Sequence, residues 1–220
     1  MIYHVRRADD DAELTADWDS PAWAPAKPLD IRHHMGDPPD HRPPTQARLL
    51  YDGQALRAIF RVEDRFVRAV AEKFHDKVCR DSCVELFFTP GPDVSEGYFN
   101  FEFNCCGKML AAHQVVPATD IVHLSEQHCR AVRIVRSLDA DTIDPEIAAP
   151  TTWTLAARIP FDVLAGYAPV VRPAAGVTWR ANAYKCADGT SGPHWLTWAP
   201  VDWDGPNFHL PQFFGELVFE

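Results

Sequence analysis

Apolar and polar residues alternate along much of this chain, with the period of two that is typical of β-strands. The pattern is clearest over residues 98–105 (YFNFEFNC), where Phe99, Phe101 and Phe103 share one face and polar residues share the other. Residues 83–89 (CVELFFT) instead form a continuous apolar run with one acid. Such a run predicts a strand that is buried on both faces.

A β-hairpin is predicted where two strand-like runs flank a turn signal. Residues 47–51 are followed by Asp52-Gly53, a pair that supplies the positive φ angles of a tight turn, and by an alternating run over residues 56–62. Further strands are predicted, in chain order, at residues 109–113, 153–159, 177–184 and 214–219.

The fold class predicted from this pattern is all-β. Nineteen prolines interrupt the chain, and one or two helical turns are expected only at residues 66–74 (FVRAVAEKF). About eight to ten strands without a long helix predict a two-sheet antiparallel β-sandwich, of the jelly-roll or immunoglobulin-like kind. The Pro-rich residues 30–44 are followed directly by strand signals, so we expect one domain over residues 1–220.

The composition favours a soluble globular protein with an uncharged partner. The 220 residues are 46% hydrophobic and carry 21 basic and 31 acidic side chains, a net charge of −10. This balance disfavours nucleic acid and anionic membranes as partners. No apolar segment of a signal peptide is visible in the first twenty residues, and the localisation is left open.

No residue pattern predicts a metal site. The six cysteines include no CxxC pair, so we expect buried free thiols. His33, His34 and His41 crowd the Pro-rich loop without the spacing of a known ligand set, which is typical of polar surface.

Catalytic signatures are also absent, and we do not expect an enzyme. The chain has no GxSxG, no phosphate-binding loop and no GxGxxG motif. Glu85 and Glu102 could be considered a glycosidase pair, but Glu85 lies within a buried strand run.

Aromatic and polar residues near the C-terminus are candidates for sugar binding, since a pyranose packs its C–H groups on aromatic rings and offers hydroxyls to polar side chains. Trp203 lies in a loop of turn formers (VDWDGPN). Its alternative role is packing on the domain edge, and the alternative for the polar residues is a solvated sheet face. The candidate ligand-binding residues are Glu102, Asn104, Arg180, Asn182, Tyr184, Trp203 and Phe208.

Seven segments, taken in order, resemble the family 9 carbohydrate-binding modules, in the branch described as family-9-like. The resemblance spans nearly the whole chain, and DSCVELFF followed by YFNFEFN and FFGELVF is its most specific part. The segments are ARLLYDGQALRAIFRVED, RDSCVELFFTP, GYFNFEFNCCGKML, TWTLAARIPFDVL, VTWRANAYKC, HWLTWAPV and NFHLPQFFGELVF.

This resemblance implies a β-sandwich that binds a mono- or oligosaccharide without catalysis, often at a chain end, between two aromatic side chains. Cys79 stands at one of the two aromatic positions and Phe208 at the other. Asn182 matches an amide that binds sugar hydroxyls, and Glu102 lies near a position where the family has a basic residue. Trp203 is the candidate to replace the aromatic ring that Cys79 lacks.

The resemblance also implies structural calcium, for which loop acids are the candidate ligands. Two alternatives stay open: a haem-binding sandwich with Met35 or Met109 as axial ligand, and a scaffold domain that has lost sugar binding. The candidate calcium ligands are Asp64, Asp76, Asp81 and Asp93.

Overall fold

The computed structural model describes residues 1–10 and 12–220, in which strands dominate. The strands are β1 (Ile2–Arg7), β2 (Leu29–Asp30), β3 (His33–His34), β4 (Thr45–Tyr51), β5 (Ala55–Asp64), β6 (Val67–Ala69), β7 (Cys83–Phe88), β8 (Tyr98–Asn104), β9 (Met109–Gln114), β10 (Val122–His123), β11 (Arg133–Arg136), β12 (Ile143–Ile147), β13 (Thr151–Pro160), β14 (Thr178–Cys186), β15 (Trp195–Thr197) and β16 (Gly215–Phe219). The helices are α1 (Glu126–Ala131) and α2 (Phe161–Ala165), with 3-10 turns at Pro21–Trp23, Val78–Arg80, Val94–Glu96 and Pro211–Phe213.

The strands form the two layers of an all-β sandwich. The first sheet has the order β10-β9-β8-β7-β14-β16, with β15 beside β14 and β3 beside β15. The second sheet has the order β4-β5-β13-β11, with β2 beside β4. Strand β1 joins the layers, because residues 2–5 pair with β16 and residues 6–7 pair with β4. Both β1 pairings are parallel, whereas the other pairings are antiparallel.

The main core lies between the two sheets. Phe99, Phe101 and Phe103 of β8 are fully buried on this side, as their alternation predicts. Phe88 of β7 stacks between β8 and β14, with ring centroids 5.7 Å from Phe101 and 5.5 Å from Trp179. Each such ring contributes about 1.5–3 kcal/mol by leaving water, so the aromatic ladder across three strands anchors the first sheet.

The outer face of the first sheet is also buried, as the apolar run of β7 predicts for that strand but the alternation of β8 does not. Residues 198–214, which we call the cover, cross this face between β15 and β16. Phe208 and Phe214 of the cover pack against Tyr98 and Tyr184 of the sheet. The expectation of a solvated sheet face is therefore wrong, because the cover removes the face from water.

The predicted hairpin is confirmed, with a different turn. Strands β4 and β5 pair antiparallel up to Tyr51 opposite Leu56. The turn is closed by the Asp52 carboxylate, which accepts the N–H groups of Gln54 at 2.7 Å and Ala55 at 2.8 Å, rather than by a left-handed backbone at Gly53.

The helical turns expected at residues 66–74 are wrong. Residues 67–69 form β6, which pairs antiparallel with β12. Val67 and Ala69 are both fully buried in the core. Buried residues therefore recur at every second position, as in a strand, but the run is too short for this period to be recognised in the sequence.

No helix of the described residues is long and apolar enough to span a membrane.

A buried ion pair fixes β14 against the end of β5. Lys185 Nζ lies 3.4 Å from Asp64 Oδ2 and 2.8 Å from His194 Nε2, and it donates to the Cys186 carbonyl at 3.0 Å. Burial acts to raise the pKa of Asp64, but the Lys185 charge and the hydrogen bond with His41 outweigh it and lower that pKa to about 2. Burial, with the Lys185 charge, lowers the pKa of His194 to about 3, so His194 is neutral and accepts from Lys185.

We expect Lys185→Met to lower the free energy of unfolding by about 3–5 kcal/mol, because it leaves the Asp64 carboxylate buried without its cation. Chemical denaturation at neutral pH measures this loss. The double variant Lys185→Met/Asp64→Asn removes both charges and should recover part of it. A single variant as stable as the wild type would contradict this account of the pair.

Candidate functional site

A cleft of about 300 Å³ opens where the cover meets the outer face of the first sheet. This volume is at the lower end of small-molecule sites. Strands β7, β8 and β14 supply its floor, and the β14–β15 connection, β15 and the cover supply its walls. The lining residues are Cys79, Glu85, Phe87, Glu102, Cys186, Asp188, Trp195, Pro206, Asn207, Phe208 and His209.

Two aromatic side chains in the walls are held by neighbouring residues. The Phe208 ring stacks on Tyr184, with centroids 4.1 Å apart and planes at 15°. The Tyr184 hydroxyl also donates to the Phe208 carbonyl at 3.1 Å. Trp195 Nε1 donates to Asp188 Oδ1 at 2.8 Å. Both rings are therefore positioned before a ligand arrives, which lowers the entropy cost of binding.

The floor of the cleft is acidic. Glu85 of β7 lies directly opposite Glu102 of β8, and neither a lysine nor an arginine is among the described lining residues. Burial raises the pKa of Glu102 to about 7, against a hydrogen bond from Asn100. Burial, with the nearby Glu102 charge, raises the pKa of Glu85 well above its ordinary value.

The structure brings two of the sequence-predicted site residues into this cleft, Glu102 and Phe208. Cys79, placed at a clamp position by the family resemblance, lines the same cleft. Trp195 was one of the aromatic candidates near the C-terminus but was not among the predicted site residues, and Asp188 was missed. Trp195 lies in a short strand beside buried residues, so its sequence context is that of a core residue, and Asp188 carries no motif.

Arg180, Asn182 and Tyr184 lie behind the cleft and hold the cover. The Asn182 amide donates to the Ala199 carbonyl at 3.0 Å and accepts the Ala199 N–H at 2.8 Å. The Arg180 guanidinium donates to the carbonyl of Phe214, at the end of the cover, and to that of Gly215, at the start of β16, at 3.1 Å. These polar groups are used within the protein, so they position the cover and do not line the cleft.

Asn104 and Trp203 lie elsewhere. Asn104 is fully buried and shapes the β8–β9 turn, since it donates to Asp81 at 2.9 Å and accepts the Lys108 N–H at 2.8 Å. Trp203 is 50% exposed on the cover, and its carbonyl accepts the Gly36 N–H at 3.0 Å. It is exposed, as its loop context suggests, but outside the residues that line the cleft.

The four loop acids do not fit one calcium cage. Asp64 faces Lys185, whereas Asp76, Asp81 and Asp93 each accept backbone N–H groups, from residues 72 and 73, 70 and 71, and 95, respectively. Among the residues that the structure describes, these acids form no shared group of ion size. Calcium stays an expectation of the resemblance, without a ligand set.

Other positions are less suited to a sugar or a haem. Met35 and Met109, the candidate haem ligands, are buried in different hydrophobic clusters, and neither lines the cleft. A depression of about 480 Å³ is lined by Arg32, Arg42 and Arg61 with acids, and no aromatic ring lines it in the described part of the chain. A third depression, of about 650 Å³, lies among the charged side chains around Phe74.

We expect Glu102→Gln to stabilise the protein in alkaline solution and to have a much smaller effect in acid. The pKa of Glu102 is raised on folding from 4.5 to about 7, so the native state binds the extra proton. Stability from this group is present below the unfolded pKa and is lost as the pH rises through 7. The gain for Glu102→Gln should be about 3 kcal/mol near pH 8.5 and about 1 kcal/mol or less near pH 5. Denaturation at both pH values tests this, and equal effects would show an ordinary pKa.

Comparison with known proteins agrees with this architecture. The sequence profile of carbohydrate-binding family 9 matches residues 34–219. A protein from Bacteroides uniformis ATCC 8492, provisionally described as carbohydrate-binding, is 27% identical with a TM-score of 0.89, over 100% of this chain and 99% of that chain. No curated protein matches.

Two solved structures of family 9 modules share the fold. The module from Caldicellulosiruptor kristjanssonii in complex with cellotriose has a TM-score of 0.67 at 13% identity, over 100% of this chain and 94% of that chain. The same organism's module in complex with glucose has a TM-score of 0.65 at 13% identity, over 99% of this chain and 95% of that chain. The profile match spans most of the chain, and the protein therefore belongs to carbohydrate-binding family 9.

Proposed function

We propose that the cleft binds a neutral mono- or oligosaccharide between Phe208 and Trp195, without catalysis. The observation that supports this most is the combination of two held aromatic rings with a buried acidic floor in one cleft. A pyranose has apolar C–H faces that pack on such rings, and its hydroxyls both donate and accept hydrogen bonds.

Trp195 is proposed as the second wall of the clamp. Cys79 lines the same cleft, but a thiol offers no flat face to a sugar ring. Trp195 lines that cleft from β15, and Asp188 holds its indole. Trp203, the candidate from the sequence, has a ring that is half exposed on the cover, and it is the alternative that the experiment below separates.

The polar groups of the cleft suit hydroxyls better than charged sugars. Glu102 and Asp188 can accept hydrogen bonds from hydroxyls, and Glu85, whose pKa is raised by burial, can donate one in its protonated form. A uronic or sialic acid would bring a further negative charge to a floor that lacks a basic residue. The net charge of −10 likewise argues against nucleic acid and anionic membranes as partners.

Glucose-based sugars are the first candidates. Two modules of the same family and fold are in complex with cellotriose and with glucose. Their 13% identity to this chain carries the fold rather than the ligand, so the sugar class is a proposal that also rests on the size of the cleft and on the absence of a basic residue among its described lining residues.

Trp195→Ala and Phe208→Ala should each weaken sugar binding at least about tenfold, because each removes one aromatic face of the site. Calorimetric titration with glucose, cellobiose and cellotriose measures the affinity. Trp203→Ala is the matched control, since it removes an indole of the same size outside the cleft and should leave the affinity within about twofold of the wild type.

The variants that lose sugar binding identify which tryptophan forms the second aromatic wall. Loss of binding in Trp203→Ala, with Trp195→Ala unaffected, would place the second ring on the cover. Absence of heat with every sugar in the folded wild type would contradict the proposal and favour a scaffold role.

We expect no turnover of bound sugar. The Glu85 carboxylate is contacted by the thiols of Cys83 and Cys186 in the floor, so it is held away from the role of a free catalytic acid. Chromatography of cellotriose after prolonged incubation should show the intact trisaccharide. Release of glucose that Glu102→Gln abolishes would instead identify a hydrolase.

A further inference from the structure

Two cysteines and a glutamate meet in the floor of the cleft, although their spacing in the chain forms no metal motif. Cys83 of β7 pairs directly with Cys186 of β14 in the antiparallel register. Glu85 lies two residues beyond Cys83 on β7, so its side chain is on the same face. The Glu85 Oε1 atom lies 3.1 Å from Cys186 Sγ and 3.8 Å from Cys83 Sγ.

These separations match the ligand shell of a small tetrahedral cation. Zinc binds sulfur at about 2.3 Å and carboxylate oxygen at about 2.1 Å, which puts neighbouring S and O ligands about 3.6 Å apart. The two measured S–O distances lie on either side of that value, and all three ligand atoms lie within 4.8 Å of one another. Little movement is therefore needed to close the three side chains around one ion.

The charge balance of the floor gives a second, independent reason. Glu85 is 2% exposed and lies opposite Glu102, which is 6% exposed, and no lysine or arginine is among the described lining residues of the cleft. Lys185, the neighbour of Cys186, directs its ammonium to Asp64 and His194 on the other face of the sheet. A divalent cation would supply the positive charge that this floor lacks.

Cation binding at these side chains would exchange protons for metal. A coordinated thiol gives up its proton to solvent, so metal affinity should increase with pH.

We propose that Cys83, Glu85 and Cys186 form a site for a thiophilic divalent cation of the zinc class, with the fourth coordination position facing the cleft. Two thiolates select zinc over the harder calcium and magnesium ions. Glu85 and Cys186 line the cleft, so water or a ligand hydroxyl has access to the remaining position.

Cobalt titration of the reduced, chelator-treated full chain tests the site, because tetrahedral Co²⁺ with thiolate ligands gives intense visible bands and a sulfur-to-cobalt charge-transfer band. We expect one Co²⁺ per chain, displaced by one Zn²⁺. Cys83→Ser and Cys186→Ser should each lose most of the charge-transfer intensity. Glu85→Gln should keep both thiolates but bind Co²⁺ at least about tenfold more weakly than the wild type.

Cys105→Ser and Cys129→Ser are the matched controls, since each removes a buried free cysteine outside the cluster of Cys83, Glu85 and Cys186. Both should keep the wild-type spectrum. Near-ultraviolet circular dichroism establishes that each variant is folded, and Glu85→Gln and Cys186→Ala carry the test if Cys83→Ser does not fold.

Three results would overturn the proposal: no thiolate–cobalt band in the folded, reduced wild type, the same band in both serine variants, or a band lost equally in the controls. The first result, together with four rather than six reactive thiols in the air-exposed denatured protein, would assign Cys83 and Cys186 to a disulfide instead. Sugar titrations of the chelator-treated protein are separate, so failure of either proposal leaves the other to its own test.

Discussion

The burial of polar side chains on the outer face of the first sheet is the constraint on which the site depends. A buried polar group without a hydrogen-bond partner costs about 1–3 kcal/mol. The cover must therefore supply hydrogen-bond partners to the polar groups beneath it. Asn182 does so through the backbone of Ala199, and Tyr184 through the carbonyl of Phe208. The same contacts that satisfy the sheet also hold one aromatic wall of the cleft.

The cleft lies where the cover no longer supplies backbone partners to the polar side chains of the sheet. Beneath most of the cover, polar groups meet backbone partners, but Glu85 and Glu102 lie directly opposite each other. Their raised pKa values reflect the cost of burying a carboxylate, to which the Glu102 charge adds at Glu85. Perturbed acids in a cleft commonly mark a functional position. A sugar hydroxyl and a cation are the two kinds of group that would relieve it, and both proposals concern this one patch of floor.

Alternation along the chain was sufficient to predict the sandwich, since the faces of β8 follow directly from the period of Phe99, Phe101 and Phe103. Periodicity assigns a residue to a face but does not say what covers that face, so the burial of β7 on both faces was predicted from its apolar run while the cover itself was missed. The family resemblance placed Cys79 and Phe208 at positions that do share a cleft. Trp195 could not be found this way, because another strand supplies it, nor could the pairing of Cys83 with Cys186, which are distant in the chain and adjacent only in register.

The hydrogen bond from Lys185 to the Cys186 carbonyl links the hidden side of β14 to the floor of the cleft. The backbone at this point is held from behind by an ammonium group that is itself held by Asp64 and His194. The floor therefore acts as a rigid template, against which a ligand must fit as it arrives. Differences in the binding of related sugars should therefore depend on the wall at residues 206–209. Sequence variation in this wall would change the sugar selectivity and leave the sandwich beneath it unchanged.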